Sequence, residues 1–153
     1  MIYLQPLTAF LALFIVGTTG RVPHDLAALV RKAKIEHGIT DWCRGDFGLS
    51  HVSAYAISTT HTSADRGQYF ILGIDSAPIV LAAFTHGSQL RCDTPAAASA
   101  RGAAIAASPI IHGYIAPRWD TTVICGWVTA TRALCWQYSP SDRQFIIVGE
   151  WIT

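Results

Sequence analysis

Apolar residues recur along this chain with two periods. Over residues 24–38, Leu26, Leu29, Val30 and Ala33 fall on one side of a 3.6-residue repeat. This predicts a helix with Asp25 at its N-cap and Gly38 as the left-handed residue that ends it. Residues 39–50 (ITDWCRGDFGLS) break the period with polar and turn-forming side chains and read as a loop. Three short β-like runs follow at 52–58, 68–74 and 79–84, separated by turn-rich segments, which is the pattern of an antiparallel meander. Thr94 and Pro95 make an N-cap and first helical position for a second, alanine-rich helix reaching about residue 107. Residues 109–117, bounded by Pro109 and Pro117, read as extended. Runs at 122–128, 133–138 and 144–151 complete a second meander, with Ser139-Pro140-Ser141-Asp142 as the turn between the last two.

The predicted class is therefore α+β: two helices with a mostly antiparallel sheet, in the order helix, three-strand meander, helix, three-strand meander. In the second meander both faces are apolar, since Val123, Cys125 and Trp127 alternate with Ile124, Gly126 and Val128. A sheet of that kind must be covered on both sides by helices, a second sheet or a partner.

Ahead of these elements the first twenty residues carry no charged side chain, and residues 7–16 (LTAFLALFIV) are almost purely apolar. An apolar stretch of this length ending in small residues, here Gly17-Thr18-Thr19-Gly20, is the pattern of a secretory signal peptide, although the basic start of such a peptide is missing. On this reading residues 21–153 form a single α+β domain that is secreted or periplasmic. A membrane anchor and an apolar core element of a soluble, cytoplasmic domain are the competing readings of residues 7–16. Pro6 and the polar Thr18-Thr19 shorten the apolar stretch and argue against a stable membrane span.

Composition sharpens this picture. Of the 153 residues 51% are hydrophobic and only 14% are charged, so the chain must hide much of its surface in a core or against a partner. Lysine occurs only at Lys32 and Lys34 and asparagine is absent, the codon signature of a GC-rich, bacterial gene. Net charge is +1 and the one basic cluster, Arg31, Lys32 and Lys34, sits on a helix; nucleic-acid binding would need a longer phosphate-neutralising track.

The four cysteines, Cys43, Cys92, Cys125 and Cys135, lack any zinc-site spacing, and in an exported chain they predict two disulfides. A three-residue hairpin loop centred on Ala130 sets Cys125 opposite Cys135, Ile124 opposite Trp136 and Trp127 opposite Ala133. Cys43 and Cys92 then remain to pair with each other.

No catalytic motif is present, and no metal or cofactor is expected. The weak catalytic candidates are His51, His61 and His86, gathered at one edge of the first meander, with Glu150 as an acid inside an apolar strand and Arg143 as its neighbour. They would support a small secreted hydrolase. Trp42 and Trp119, both placed in loops, are candidates for contact with an unknown protein or small-molecule ligand. The leading expectation is an exported, disulfide-braced binding domain. Hydrolysis is the alternative, and a soluble domain of unknown role with residues 7–16 in its core is the third reading. If residues 1–20 are a signal, intact-mass measurement on the exported protein will find an N-terminus near Arg21; an exported chain that retains Met1 would exclude cleavage.

Overall fold

The apolar runs build two separate sheets, and each sheet buries part of both of its faces. The computed structural model describes residues 21–49, 53–60, 66–73, 77–86 and 89–153; residues 1–20, with the predicted leader, lie outside that set. Helix α1 (His24–Lys32) is followed by β1 (Gly38–Gly45), β2 (Ala54–Thr60), β3 (Gly67–Leu72), β4 (Ile79–Phe84) and β5 (Leu90–Asp93). Helix α2 (Pro95–Ala107) leads into β6 (His112–Ile115), β7 (Val123–Trp127), β8 (Arg132–Ser139) and β9 (Gln144–Ile152). One sheet has the order β1-β2-β3-β4 and the other β5-β7-β8-β9-β6, and every pairing is antiparallel.

Three apolar clusters define four layers. Phe47, Ala56, Tyr69, Ile71 and Phe84 meet Ile124, Leu134 and Trp136 between the sheets. Leu26, with Leu29 and Val30, packs α1 on Tyr55, Ile57 and Leu72 on the outer face of the four-stranded sheet. Ala98 and Ile105 of α2 cover Val123, Cys125, Ala133, Cys135 and Trp151 on the outer face of the five-stranded sheet. The class is α+β as predicted, but mostly sheet: the predicted runs pair consecutively as β2-β3-β4 and β7-β8-β9, and β1, β5 and β6, which were not predicted as strands of these meanders, enlarge the sheets to four and five strands.

The differences from the sequence pattern have local causes. Residues 39–50 are not simply a loop, because Gly38–Gly45 is the edge strand β1. Its polar residues are satisfied there: Asp41 Oδ2 accepts from the Leu90 amide at 2.8 Å, and Thr40 Oγ1 lies 2.9 Å from Ser58 Oγ. The four-residue β5 is too short to show a period. Helix α1 ends at Lys32 instead of Gly38, and Pro23, not Asp25, occupies its N-cap. Lys34 takes the left-handed conformation at φ 54°, with its amide bonded to Arg31 O and that of Ile35 to Val30 O. That pair of bonds is the Schellman stop, closed by Ile35 packing in the same cluster as Val30. A lysine fills the position where glycine is usual. Helix α2 keeps its predicted ends, with Thr94 Oγ1 accepting from the Ala97 amide at 3.2 Å and Pro95 in the first turn.

The β7–β8 hairpin takes the register drawn from its loop, with Cys125 opposite Cys135, Ile124 opposite Trp136 and Trp127 opposite Ala133. Cys125 and Cys135 form a disulfide across that pair, and Cys43–Cys92 joins β1 to β5 at the adjoining edges of the two sheets. With 49 residues between its cysteines against 10, the inter-sheet bridge restrains the unfolded chain more, by roughly 4 against 3 kcal/mol on the loop-entropy account.

Tyr69 fixes the spacing of the sheets. It is fully buried, stacks near Phe84 and Trp136, and donates its hydroxyl to Trp127 O at 2.6 Å. Its ring occupies the space a Cβ at Gly126 would need, since that atom would lie 2.8 Å from Tyr69 Cζ. Gly126→Ala should therefore destabilise the protein by about 1–3 kcal/mol, read as a lower urea midpoint at unchanged slope. An unchanged midpoint would mean that the sheets are free to move apart at this point.

Candidate functional site

Directly opposed residues of adjacent strands share a face, and this rule locates an unusual surface. Leu134 and Trp136 of β8 point into the inter-sheet core and are 8% and 3% exposed. Ile147 is directly opposite Trp136 on β9 and yet is 46% exposed. The cover provided by the four-stranded sheet therefore gives out along β9: Phe145 at its start still packs against the inter-sheet cluster and Phe47, and Ile147 does not. Beyond it, the inner faces of β9 and β6 form an open step. Glu150 lies opposite Leu134 and Tyr114, and Ile152 lies opposite Arg132 and His112. Tyr114 is 53% and Ile152 48% exposed.

The centre of the step is polar. Arg132 Nε donates to Glu150 Oε1 at 2.6 Å, a diagonal pair across β8 and β9 with both side chains partly in water. Such a pair adds little to stability, on the order of 1 kcal/mol or less. It does neutralise the face locally. Ile110, which leads into β6, is the most exposed large apolar residue among the described residues.

Two other places merit comparison. A groove of about 410 Å³ runs between α1 and the end of β3, lined by Leu29, Lys32, Ala33, Leu72, Gly73, Ala77 and Pro78. Among the described residues its lining is apolar apart from Lys32. Under α2, Asp93 receives Arg91 Nε at 2.9 Å and Arg101 Nη2 at 2.6 Å, the second contact being ionic without hydrogen-bond alignment. Arg101 Nη2 also donates to Cys125 Sγ at 3.2 Å and its guanidinium lies over the Trp151 ring. Burial lowers the Arg101 pKa and the Asp93 carboxylate opposes that shift. This set ties α2 to β5 and to the outer face of the five-stranded sheet.

The residues singled out from the sequence do not assemble into a catalytic set among the described residues. His51 and His61 lie outside those residues, and His86 sits in the exposed turn after β4. Glu150 pairs with Arg132, while Arg143 stands at the opposite end of β9, in the β8–β9 turn with φ 53°. Trp42 is on β1, partly buried edge-to-face against Tyr55 at 5.9 Å, so it is not a loop residue. Trp119 packs partly buried against the cluster under α2, and its carbonyl accepts from Gln137 Nε2 at 3.0 Å. Cys43, Cys92, Cys125 and Cys135 are all in disulfides. Among the described residues no group of three His, Cys, Asp or Glu side chains could hold a metal ion, and no helix is long and apolar enough to cross a membrane. Comparison with protein-family models, with curated proteins and with solved structures finds no match for this chain.

Sequence reasoning selected Glu150 but missed Arg132, Tyr114, Ile147 and Ile152. The available signal was the hairpin register, which, extended to β9, sets Arg132 diagonal to Glu150.

One ionisable pair outside the step gives a pH signature. Tyr55 Oη donates to Asp25 at 2.9 Å, and this bond holds the Asp25 carboxyl below its ordinary value of 3.8. A depressed carboxyl contributes stability above the ordinary carboxylate range and loses it as pH falls through its folded value. Tyr55→Phe should therefore destabilise the protein near neutral pH, with the difference from the parent fading below about pH 4. A difference constant from pH 7 to 2.5, followed by urea titration, would assign the loss to packing alone.

Proposed function

We propose that this chain is an exported binding domain, braced by two disulfides, that engages a protein through the inner face of β9 and β6. The observation that carries this reading is the half-exposed stripe of Ile147, Ile152 and Tyr114, which stands beside fully covered neighbours on the same sheet face. A protein with so few charges does not leave aromatic and aliphatic side chains together in water without function, and contiguous apolar surface rimmed by polar groups is the usual mark of an interface. Export is supported by the apolar stretch at 7–16 and by the two disulfides, which persist in oxidising compartments.

Catalysis by a His/Glu/Arg set draws no support from the geometry of Glu150, since its partner Arg132 shares an open face and not a cleft. The groove beside α1 remains open to a small ligand, but it offers fewer polar contacts than recognition of a specific small molecule uses.

The test is site-specific photocrosslinking in producing cells. A crosslinking amino acid at position 114 or 147 should trap a discrete protein adduct, whereas the same group at the exposed Ala100 of α2 should not. Absence of an adduct at both step positions, or equal adducts at all three, would remove the binding reading.

A further inference from the structure

We propose that the occupant of the β9–β6 step is a second copy of this chain, docked about a two-fold axis so that Arg132 of each copy meets Glu150 of the other. The proposal rests on the reading of this face as a binding surface and adds the identity of the partner.

Three observations point to a copy and not to an arbitrary partner. The first is charge. An isologous interface brings one patch against itself, so the patch must be self-complementary. This one carries a single cation and a single anion 2.6 Å apart, each flanked by apolar residues. Rotation by two-fold symmetry converts the intrachain pair into two interchain pairs without opposing like charges. A surface selected for a partner of one sign would carry an excess of the other.

The second is concentration of apolar exposure. Of the six exposed large hydrophobic residues among the described ones, Ile110, Tyr114, Ile147 and Ile152 belong to β6, β9 or the lead-in to β6; Val22 and Val80 lie elsewhere.

The third is the edge itself. Strands that must remain unpaired are usually guarded by charges, prolines or bulges. Residues 102–117 carry no charged side chain, and Pro109 and Pro117 flank β6 without entering it. Its register with β9 is unbroken. The other outer strand, β4, differs in having a register shift against β3. Guarded by its four-residue length and not by charge or bulge, β6 borders the exposed apolar face.

The experiment measures the mass of the full, oxidised protein by sedimentation over a wide concentration range, then by mixing charge variants. The parent protein should form a dimer, and Ile147→Lys should raise its dissociation constant at least tenfold. Arg132→Glu makes the patch wholly acidic and Glu150→Arg makes it wholly basic. Each variant alone should be monomeric, and an equimolar mixture should form a heterodimer. That recovery reports contact between patches and cannot come from a folding defect.

A parent protein that stays monomeric at all concentrations would overturn the second-copy assignment while leaving the binding reading intact, provided the crosslinker at position 114 still traps a different protein. No adduct from either position 114 or position 147 would sink both. A dimer indifferent to Ile147→Lys and to both charge reversals would place the interface elsewhere and overturn the proposal. So would a crosslink from position 114 into residues 1–20 of the same chain, which would make the leader the occupant.

Discussion

The spacing of the two sheets depends on one contact, the Tyr69 ring lying where Gly126 has no side chain. Two apolar sheet faces could slide against each other with little change in buried area, because hydrophobic attraction has no direction. The Tyr69 hydroxyl supplies the missing direction by reaching Trp127 O on the facing sheet. Removed from water, that phenol has its pKa pushed far above the usual range, chiefly by burial. It stays a neutral donor at any physiological pH. Phe84 and Trp136 wall the ring in, and the Cys43–Cys92 bridge with the Leu90–Asp41 hydrogen bond closes the adjoining edges. Centre and edge together determine how the sheets face each other, and each then presents an outer apolar face that only a helix covers.

That arrangement explains what was legible in advance. Helix α2 was readable because both ends carry strong local chemistry, Thr94-Pro95 at the start and Ser108-Pro109 after the end. The β7–β8 register was readable because hairpin loop length fixes parity, and parity fixes which cysteines can meet. Strand β1 was not readable. Its polar residues Thr40 and Asp41 are satisfied by groups on Ser58 and Leu90, distant in sequence, and no local pattern encodes those partners. Helix α1 ended early for a related reason: Lys34 is held in a conformation that a residue scale assigns to glycine, and Ile35 packing on the α1 cluster holds it there.

The candidate site was legible only in part. Glu150 was conspicuous as an acid in an apolar strand, and the inference that it needs a partner was sound. The partner had to come from register, on the neighbouring strand and diagonal in pairing, and not from Arg143, which is nearer in sequence. Exposure was harder still. A strand apolar on both faces predicts cover on both faces, and nothing in the pattern of β9 says that the cover gives out between Phe145 and Ile147. Local sequence records what a strand can bury; the strand count of the opposing sheet decides what it does bury.

Strand counting thus accounts for the exposed face of this molecule. A sheet of five strands faces a sheet of four, the two are registered at one edge by a disulfide, and the surplus accumulates at the other edge. The overhang consists of β9 and the short β6, whose close approach to α2 is allowed by Gly102 against Ile115 O. Helix α2 can come down on β6 only from the outer side, because its path from the end of β5 crosses that face. Among the described residues, neither helix nor sheet lies above the inner side of the overhang. An ordinary edge would be expected to turn polar there. Instead it keeps Tyr114, Ile147 and Ile152 and places one ion pair among them, enough to define orientation without making the surface hydrophilic. The missing fifth strand of the opposing layer is the physical reason that this face stays exposed among the described residues.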